Sequence, residues 1–154
     1  MILINKFNNL RIKIKKSLIT KIGKIAIQHF PNEFGGFLIG RYSADLKSVE
    51  IEDFILPKKY KGTPTLFQRS TDEITSLFRK EFELNNRYYI GEWHSHPNGS
   101  TMYSQTDLNA MIETVNCSTV TIKNPILLIL SINNKKMNDF TFYCYSDKKL
   151  YNYE

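Results

Sequence analysis

The sequence predicts an α/β fold in which about three helices flank a mixed sheet. Segments with helical spacing and segments with strand-like alternation follow one another along the chain. The stretch "PILLILSI" is nearly all apolar, which is typical of a central strand buried on both faces. With 154 residues and 42% hydrophobic content, the chain is long enough for one core and short for two. We therefore expect residues 1–154 to form a single domain.

The first half of the chain predicts a strand, a helix and a hairpin. Residues 10–14, "LRIKI", alternate apolar and basic residues as a half-buried strand does. The segment "SLITKIGKIAIQHF" predicts a helix from Ser17, as its N-cap, to about Phe30, ended by Pro31. "GGFLIGRYS" and "SVEIEDFILP" predict an antiparallel hairpin, and "KKYKGTPTLFQR" predicts a loop because Gly and Pro interrupt it.

The second half predicts two more helices and three strands. "STDEITSLFRKEFEL" predicts a helix capped by Ser70 or Thr71 ahead of Glu73. "RYYIGEWHSH" predicts a strand stopped by Pro97, and "SQTDLNAMIETV" predicts a helix whose first turn begins at Ser104. "PILLILSI" and "DFTFYCYS" predict the closing strands.

Composition narrows the functional classes. No apolar run approaches the roughly 20 residues of a membrane span, and the first residues lack a signal-peptide pattern, so we expect a cytoplasmic protein with no membrane partner. The net charge of +6 is scattered over the chain and fits no nucleic-acid motif. Solvated basic faces are the favoured interpretation, and attraction of an acidic protein partner is the alternative.

Two of the three histidines lie in the stretch "GEWHSHP". Residues i and i+2 of a strand face the same side, so His94 and His96 can converge on one point while Trp93 faces away. Asp107 falls in the first turn of the next predicted helix, where its carboxylate can turn back toward the strand end. Two imidazoles and one carboxylate suit one tetrahedral Zn²⁺ with a fourth position for water. The pattern therefore predicts a catalytic zinc site.

Simpler roles are open for several of these residues. Ser104 and Asp107 fit helix capping, which is compatible with a role in the site. His29 has no partner in the sequence and is interpreted as a histidine satisfied by hydrogen bonds. Trp93 and Tyr89 are expected to pack on the face opposite the metal.

The stretch "HSHP" at 94–97 is followed after six residues by Ser104, and two further residues separate that serine from Asp107. This pattern resembles the JAMM (MPN-plus) metalloprotease motif at every fixed position. The upstream stretch "PNEFGGFLIG" supplies Glu33 in a context similar to the prokaryotic JAB domain. "GEWHSHP" is also similar to small bacterial JAB isopeptidases of CBASS-type or Bil-type antiphage operons. The resemblance implies a cytidine-deaminase-like α/β fold with a curved sheet and a possible role in antiphage defence.

The resemblance also implies a role for each residue. His94, His96 and Asp107 become the zinc ligands, Glu33 the general base, and Ser104 a hydroxyl donor to the oxyanion. Glu92 is a rival to Glu33, since strand alternation places it on the side of His94. It would act as a hydrogen-bond acceptor for an imidazole N–H or as the base.

The implied activity is that of a zinc isopeptidase that cleaves after the C-terminal glycine of a ubiquitin-like protein. The partners would be that protein or its conjugate, together with E1-like and E2-like enzymes of the same operon. The loop before the second helix would bind the extended tail by strand addition, and Lys58, Lys59 and Lys61 would meet an acidic surface. A merely solvated loop is the alternative for these lysines.

Other functions stay open at this point. The same chemistry suits processing of a sulfur-carrier protein or hydrolysis of a small peptide or amide. A catalytically silent MPN scaffold is disfavoured, because such relatives lack the metal ligands. A zinc deaminase would need a Pro-Cys-x-x-Cys stretch, which is missing. A relation to RadC-like proteins, which carry "HNHPSG", is disfavoured by Glu92 and Trp93 and by the absence of an attached helix-hairpin-helix region.

Overall fold

The computed structural model describes residues 1–71 and 73–154. Its helices are α1 (Lys16–Gln28), α2 (Ile74–Asn85) and α3 (Gln105–Asn116). Its strands are β1 (Ile2–Ile4), β2 (Arg11–Ile14), β3 (Gly35–Tyr42), β4 (Ser48–Ile55), β5 (Tyr60–Thr63), β6 (Leu66–Arg69), β7 (Tyr88–Pro97), β8 (Ile126–Ile132), β9 (Met137–Ser146) and β10 (Lys149–Asn152). Among the described residues, none of the helices is long and apolar enough to cross a membrane.

Eight strands form one mixed sheet in the order β1-β2-β4-β3-β7-β8-β9-β10. The pairs β2–β4 and β7–β8 are parallel and the others are antiparallel. The sheet curls so far that its first and last strands meet, since Ile4 and Glu154 exchange backbone hydrogen bonds of 2.8 and 3.0 Å. The predicted α/β class, with three helices and a curved mixed sheet, is confirmed.

Strand β8 lies inside this sheet and every one of its residues is buried. Its alternate side chains enter two separate cores, as the two faces of a pleated strand require. Leu128 and Leu130 join a core that contains Ile22 of α1, whereas Leu127 joins a core that contains Met111 of α3. Helices α1 and α3 therefore cover opposite faces, and the predicted central strand is confirmed.

Two helix starts differ from the prediction. Helix α1 begins at Lys16 because the Lys15 carbonyl already accepts the Ile19 N–H at 3.4 Å, so Ser17 lies inside the first turn and is not the cap. Helix α2 begins at Ile74 after Glu73, which has a φ of 64° and forms no side-chain cap. The predicted capping by Ser70 or Thr71 is therefore wrong.

The segment predicted as a loop forms a small hairpin of its own. Strands β5 and β6 pair antiparallel, with Thr63 opposite Leu66, so Pro64 and Thr65 make a tight turn. The prediction failed because Gly62 lies within a strand of this two-stranded sheet rather than breaking it. This structure is called the β5–β6 hairpin below.

A β-bulge in β7 moves Tyr89 to an unexpected side of the sheet. Strand β3 pairs Leu38 with Gly91 and Ile39 with Tyr89, which leaves Ile90 as the extra residue and resets the alternation. Trp93 is buried in the α1 core as predicted. Tyr89 instead packs against Phe78 of α2 and donates to Glu92 at 3.1 Å. The prediction that Tyr89 packs opposite the site is wrong.

Candidate metal centre

The end of β7 brings two imidazoles together. His94 and His96 project from the same face of the strand, and their Nε2 atoms lie 3.1 Å apart. The residues between and before them, Ser95 and Trp93, are buried on the opposite face. Pleating alone therefore aims both rings at one point, as their spacing predicted.

The carboxylate comes from the first turn of α3. Ser104 and Asp107 form a capping box in which the Ser104 N–H donates to Asp107 Oδ2 at 2.7 Å and the Asp107 N–H donates to Ser104 Oγ at 3.1 Å. This cap fixes the carboxylate so that Oδ1 lies 3.1 Å from His94 Nε2 and Oδ2 lies 3.4 Å from His96 Nε2. The same pair of residues thus caps α3 and orients the Asp107 carboxylate toward the two histidines.

Charges in the cluster stabilise one another. Burial alone would raise the pKa of Asp107, but hydrogen bonds with His94 and His96 outweigh burial and hold that pKa well below its usual range. Burial alone would lower the pKa of His96, but its hydrogen bonds to Asp107 and to the Ser100 carbonyl raise it overall. The bond from His96 Nδ1 to the Ser100 oxygen is 2.8 Å and directs Nε2 toward Asp107.

The three side chains fit a zinc ion by donor type and by spacing. In a tetrahedral site with zinc–ligand distances of about 2.0–2.1 Å, neighbouring ligand atoms lie roughly 3.3 Å apart. Here the two Nε2 atoms lie 3.1 Å apart, and the Asp107 carboxylate presents Oδ1 to His94 at 3.1 Å and Oδ2 to His96 at 3.4 Å. Within residues 1–71 and 73–154, this is the one group of at least three His, Cys, Asp or Glu side chains whose ligand atoms all lie within 4.8 Å of one another. A zinc ion held by these three side chains would have a fourth position for water, as catalytic zinc sites do.

Glu33 lies on the irregular segment between α1 and β3, close enough to interact electrostatically with His94, His96 and Asp107. Only 9% of the residue is exposed, and its backbone N–H donates to the Thr63 carbonyl of the β5–β6 hairpin at 2.8 Å. Burial raises the pKa of its carboxyl group, His94 and His96 oppose that rise, and Asp107 adds to it. A buried carboxylate near both imidazoles is in place to accept a proton.

Glu92 is committed to other partners. Its Oε1 accepts from the guanidinium of Arg69 and from the hydroxyl of Tyr89. Arg69 also stacks over the ring of Phe37, 4.9 Å from its centroid. These contacts anchor the β5–β6 hairpin to β7 and favour Glu33 over Glu92 as the base.

Among the three lysines predicted to meet a partner, Lys61 lies on β5, whereas Lys58 and Lys59 directly precede that strand. None of them belongs to the metal cluster. Lys58 pairs with Glu73 at 2.8 Å across the gap to α2. Lys59 and Lys61 are exposed at the β5 strand. His29 is satisfied as expected, since its Nδ1 lies 3.0 Å from the Ile25 carbonyl and its ring stacks on Phe34.

Sequence reasoning missed the contacts that hold the site from a distance. Arg69 was not predicted to neutralise Glu92, and the Ser100 carbonyl was not predicted to orient His96. The helical cap at Ser104 carried a local pattern, but a salt bridge between residues 23 positions apart has no such signal.

The fold and the cluster define a class: a mixed α/β domain with a candidate hydrolytic metal centre. Residues 15–143 match the family described as prokaryotic homologs of the JAB domain. The chain belongs to this family.

Known proteins similar to the chain agree with that placement. Over 120 residues the chain is 32% identical to a "CD-NTase/cGAS isopeptidase" of Enterobacter hormaechei subsp. hoffmannii (strain UCI 50), an alignment that covers 77% of this chain and 66% of that protein. Two solution structures share the fold. The one from Desulfitobacterium hafniense has a TM-score of 0.65 at 20% identity, with 92% of this chain and 88% of that chain covered. The one from Salinibacter ruber (strain DSM 13855) has a TM-score of 0.62 at 17% identity, with the same coverage of 92% and 88%.

Proposed function

We propose that the chain is a zinc-dependent isopeptidase that hydrolyses the amide bond after the C-terminal glycine of a ubiquitin-like protein. The observation that carries this proposal is the convergence of His94, His96 and Asp107 beside the buried carboxylate of Glu33. Membership of the JAB family and the isopeptidase name of the Enterobacter relative support it.

His94 and His96 would hold the zinc through Nε2, and Asp107 through its carboxylate. Zinc at this position would supply Lewis acidity, which lowers the pKa of a contacting water from about 15.7 toward about 7. Glu33 would accept one proton of that water while the oxygen attacks the amide carbon. It would then deliver the proton to the departing nitrogen as the C–N bond breaks, so that a carboxylic acid and an amine leave the site.

Ser104 would act on the former carbonyl oxygen, which gains negative charge during the attack. Its Oγ accepts the Asp107 N–H through a lone pair, and the hydroxyl hydrogen is available to donate. A donor of this kind is typically worth about 10² to 10³ in rate. The same residue would therefore cap α3 and stabilise the reacting oxygen.

The β5–β6 hairpin would bind the tail of the ubiquitin-like protein. It pairs with no strand of the main sheet, and it contacts the Glu33 segment through Thr63. An extended tail added along it would gain backbone hydrogen bonds and run toward the zinc ligands. Lys59 and Lys61 would attract acidic groups of the partner, and the antiphage role and the E1-like and E2-like partners stay predictions.

Incubation with candidate substrates tests this proposal. Zinc-loaded protein would be mixed with ubiquitin-like proteins encoded nearby, each fused through its C-terminus to a reporter. A CD-NTase joined to such a protein is a second substrate to try, because the Enterobacter relative is named a CD-NTase/cGAS isopeptidase. We expect release after the terminal glycine, blocked by a chelator and restored by zinc.

Two results would oppose the proposal. One is a purified chain without stoichiometric metal, and the other is cleavage that persists when His94 or His96 is replaced by alanine. The matched control is Lys24→Ala, an exposed residue of α1 outside the site, which should leave cleavage unchanged.

A further inference from the structure

The proposed base sits on a segment without regular secondary structure. Residues 29–34 connect α1 to β3, and Glu33 has neither a helical nor a strand backbone to hold it. A carboxylate that must meet one water needs its backbone fixed, because a misplacement of about 1 Å can cost about 10²-fold in rate. The contacts that fix this segment would therefore set the position of the Glu33 carboxylate.

Strand β7 holds the segment through the hydroxyl of Ser95. Ser95 Oγ accepts the Phe34 N–H at 3.1 Å and donates to the Phe34 carbonyl at 3.3 Å, and the Ser95 N–H donates to the same carbonyl at 2.9 Å. The residue is 0% exposed. Burial of a hydroxyl is unfavourable unless it is bonded, so this side chain serves the neighbouring backbone. Ser95 stands between the two histidines and next to the residue that follows Glu33.

The β5–β6 hairpin holds the segment from the other side. The Thr63 carbonyl accepts the Glu33 N–H at 2.8 Å. Gly62 lies so close to this segment that a Cβ at position 62 would be 2.5 Å from the backbone carbonyl oxygen of Glu33. A side chain at position 62 would push the Glu33 backbone away, since contacts under 3.0 Å force atoms to shift.

We infer that Ser95 and Gly62 are positioning residues for Glu33. Ser95 hydrogen-bonds the Glu33 segment to β7, the strand that carries His94 and His96, and Gly62 lets the β5–β6 hairpin pack closely against the same segment. This inference rests on the proposed function. Neither residue touches reacting atoms, so each acts through the placement of the Glu33 carboxylate. The base is thus held by the strand that carries the zinc ligands and by the hairpin proposed to bind the substrate tail.

Serine 95 provides the first test. Ser95→Ala should lower kcat about 10-fold to 100-fold, with KM and zinc content near wild type, and Ser95→Thr should restore most of kcat because it keeps the hydroxyl. In metal-free protein, hydrogen exchange at the Phe34 amide should speed up in Ser95→Ala. The matched control is Ser43→Ala in the turn between β3 and β4, since Ser43 Oγ also accepts a backbone N–H, that of Ser48, at 3.0 Å. Its hydroxyl has two acceptors, Asp45 Oδ1 at 2.6 Å and the Ser48 carbonyl at 3.2 Å.

Glycine 62 provides the second test. Gly62→Ala should lower kcat by a similar factor and leave zinc bound. Its control is Gly23→Ala in helix α1, whose added methyl group would lie 3.1 Å from Sδ in the flexible side chain of Met137.

The outcomes separate the two proposals. If the wild-type protein cleaves no amide with zinc bound, the proposed function fails. If the wild type cleaves but Ser95→Ala and Gly62→Ala keep kcat within about twofold, the positioning role fails. It also fails if the kcat loss is matched by Ser43→Ala or comes with lost zinc.

Discussion

The ligand side of the site, formed by His94, His96 and Asp107, comes from residues 94–107 of the chain, whereas the base side around Glu33 is assembled from distant segments. A strand pleat and a helix cap place the ligands. Thr63 and Ser95, which lie in different elements, place the base. The two halves of one proposed active site therefore depend on different kinds of interaction.

This difference predicts that metal binding and turnover can be altered separately in this protein. The ligand side carries its own local supports, the capping box and the Ser100 carbonyl. The base side needs the hairpin and β7 to be docked correctly. Changes on the ligand side should remove metal and activity together, and changes on the base side should spare the metal.

The largest effect is expected for His96→Ala. It removes one nitrogen ligand and leaves Asp107 without one of its two imidazole partners, which lie 3.1 and 3.4 Å away. We expect zinc content and cleavage to fall together to the level of chelator-treated protein, measured by metal analysis and reporter release. Retained zinc at wild-type stoichiometry would contradict the ligand assignment.

Glu33→Gln should come next. The amide keeps the shape of the side chain but accepts a proton far less readily. Turnover should therefore fall about 10²-fold to 10⁴-fold while zinc stays bound. Glu92→Gln is the comparison, because Glu92 is paired with Arg69 and Tyr89. If Glu92→Gln abolishes turnover and Glu33→Gln does not, the base is Glu92.

Ser104→Ala should affect both catalysis and folding stability. Loss of the hydroxyl should slow cleavage about 10²-fold to 10³-fold through the reacting oxygen. Loss of the cap should also lower the free energy of unfolding by about 0.5–2 kcal/mol. Thermal unfolding and kcat are the two measurements, and Ser104→Thr should recover both in large part.

Arg69→Met should affect the base side alone. It leaves the Glu92 carboxylate without its cation in a position where the Glu92 side chain is 15% exposed. We expect the free energy of unfolding to fall by about 1–3 kcal/mol and KM to rise several-fold as the hairpin loosens. Zinc affinity should stay at its wild-type value, and a parallel loss of zinc would show that the two sides are not separable.

The smallest effect is expected for charge reversal of the hairpin lysines. Lys59→Glu and Lys61→Glu should slow cleavage a few-fold at low salt, and the difference should fade as screening increases. Lys58→Glu is less informative because Lys58 already pairs with Glu73. Rates that do not change at any salt concentration would remove these lysines from substrate recognition.

Local patterns in the sequence predicted that His94, His96 and Asp107 lie together, whereas Glu33 was pointed to by the family resemblance alone. Strand alternation at His94 and His96 and the cap at Ser104 were predictable, because their causes lie within a few residues. The Ile90 bulge was not, since a register shift depends on how β3 pairs with β7. The β5–β6 hairpin was missed because Gly and Pro indicate a turn equally well between two short strands and within a loop.

The hydrogen bonds between Ile4 and Glu154 have a consequence for how one copy of the chain would meet another. Open strand edges are templates for pairing between molecules, and here the first and last strands cover each other near this point. Ile2 and Ile4 are 64% and 43% exposed on β1, so an uncovered edge there would also be apolar. A chain shortened by its last five residues would lose most of β10. It would then expose unpaired strand edges through which molecules could associate in solution.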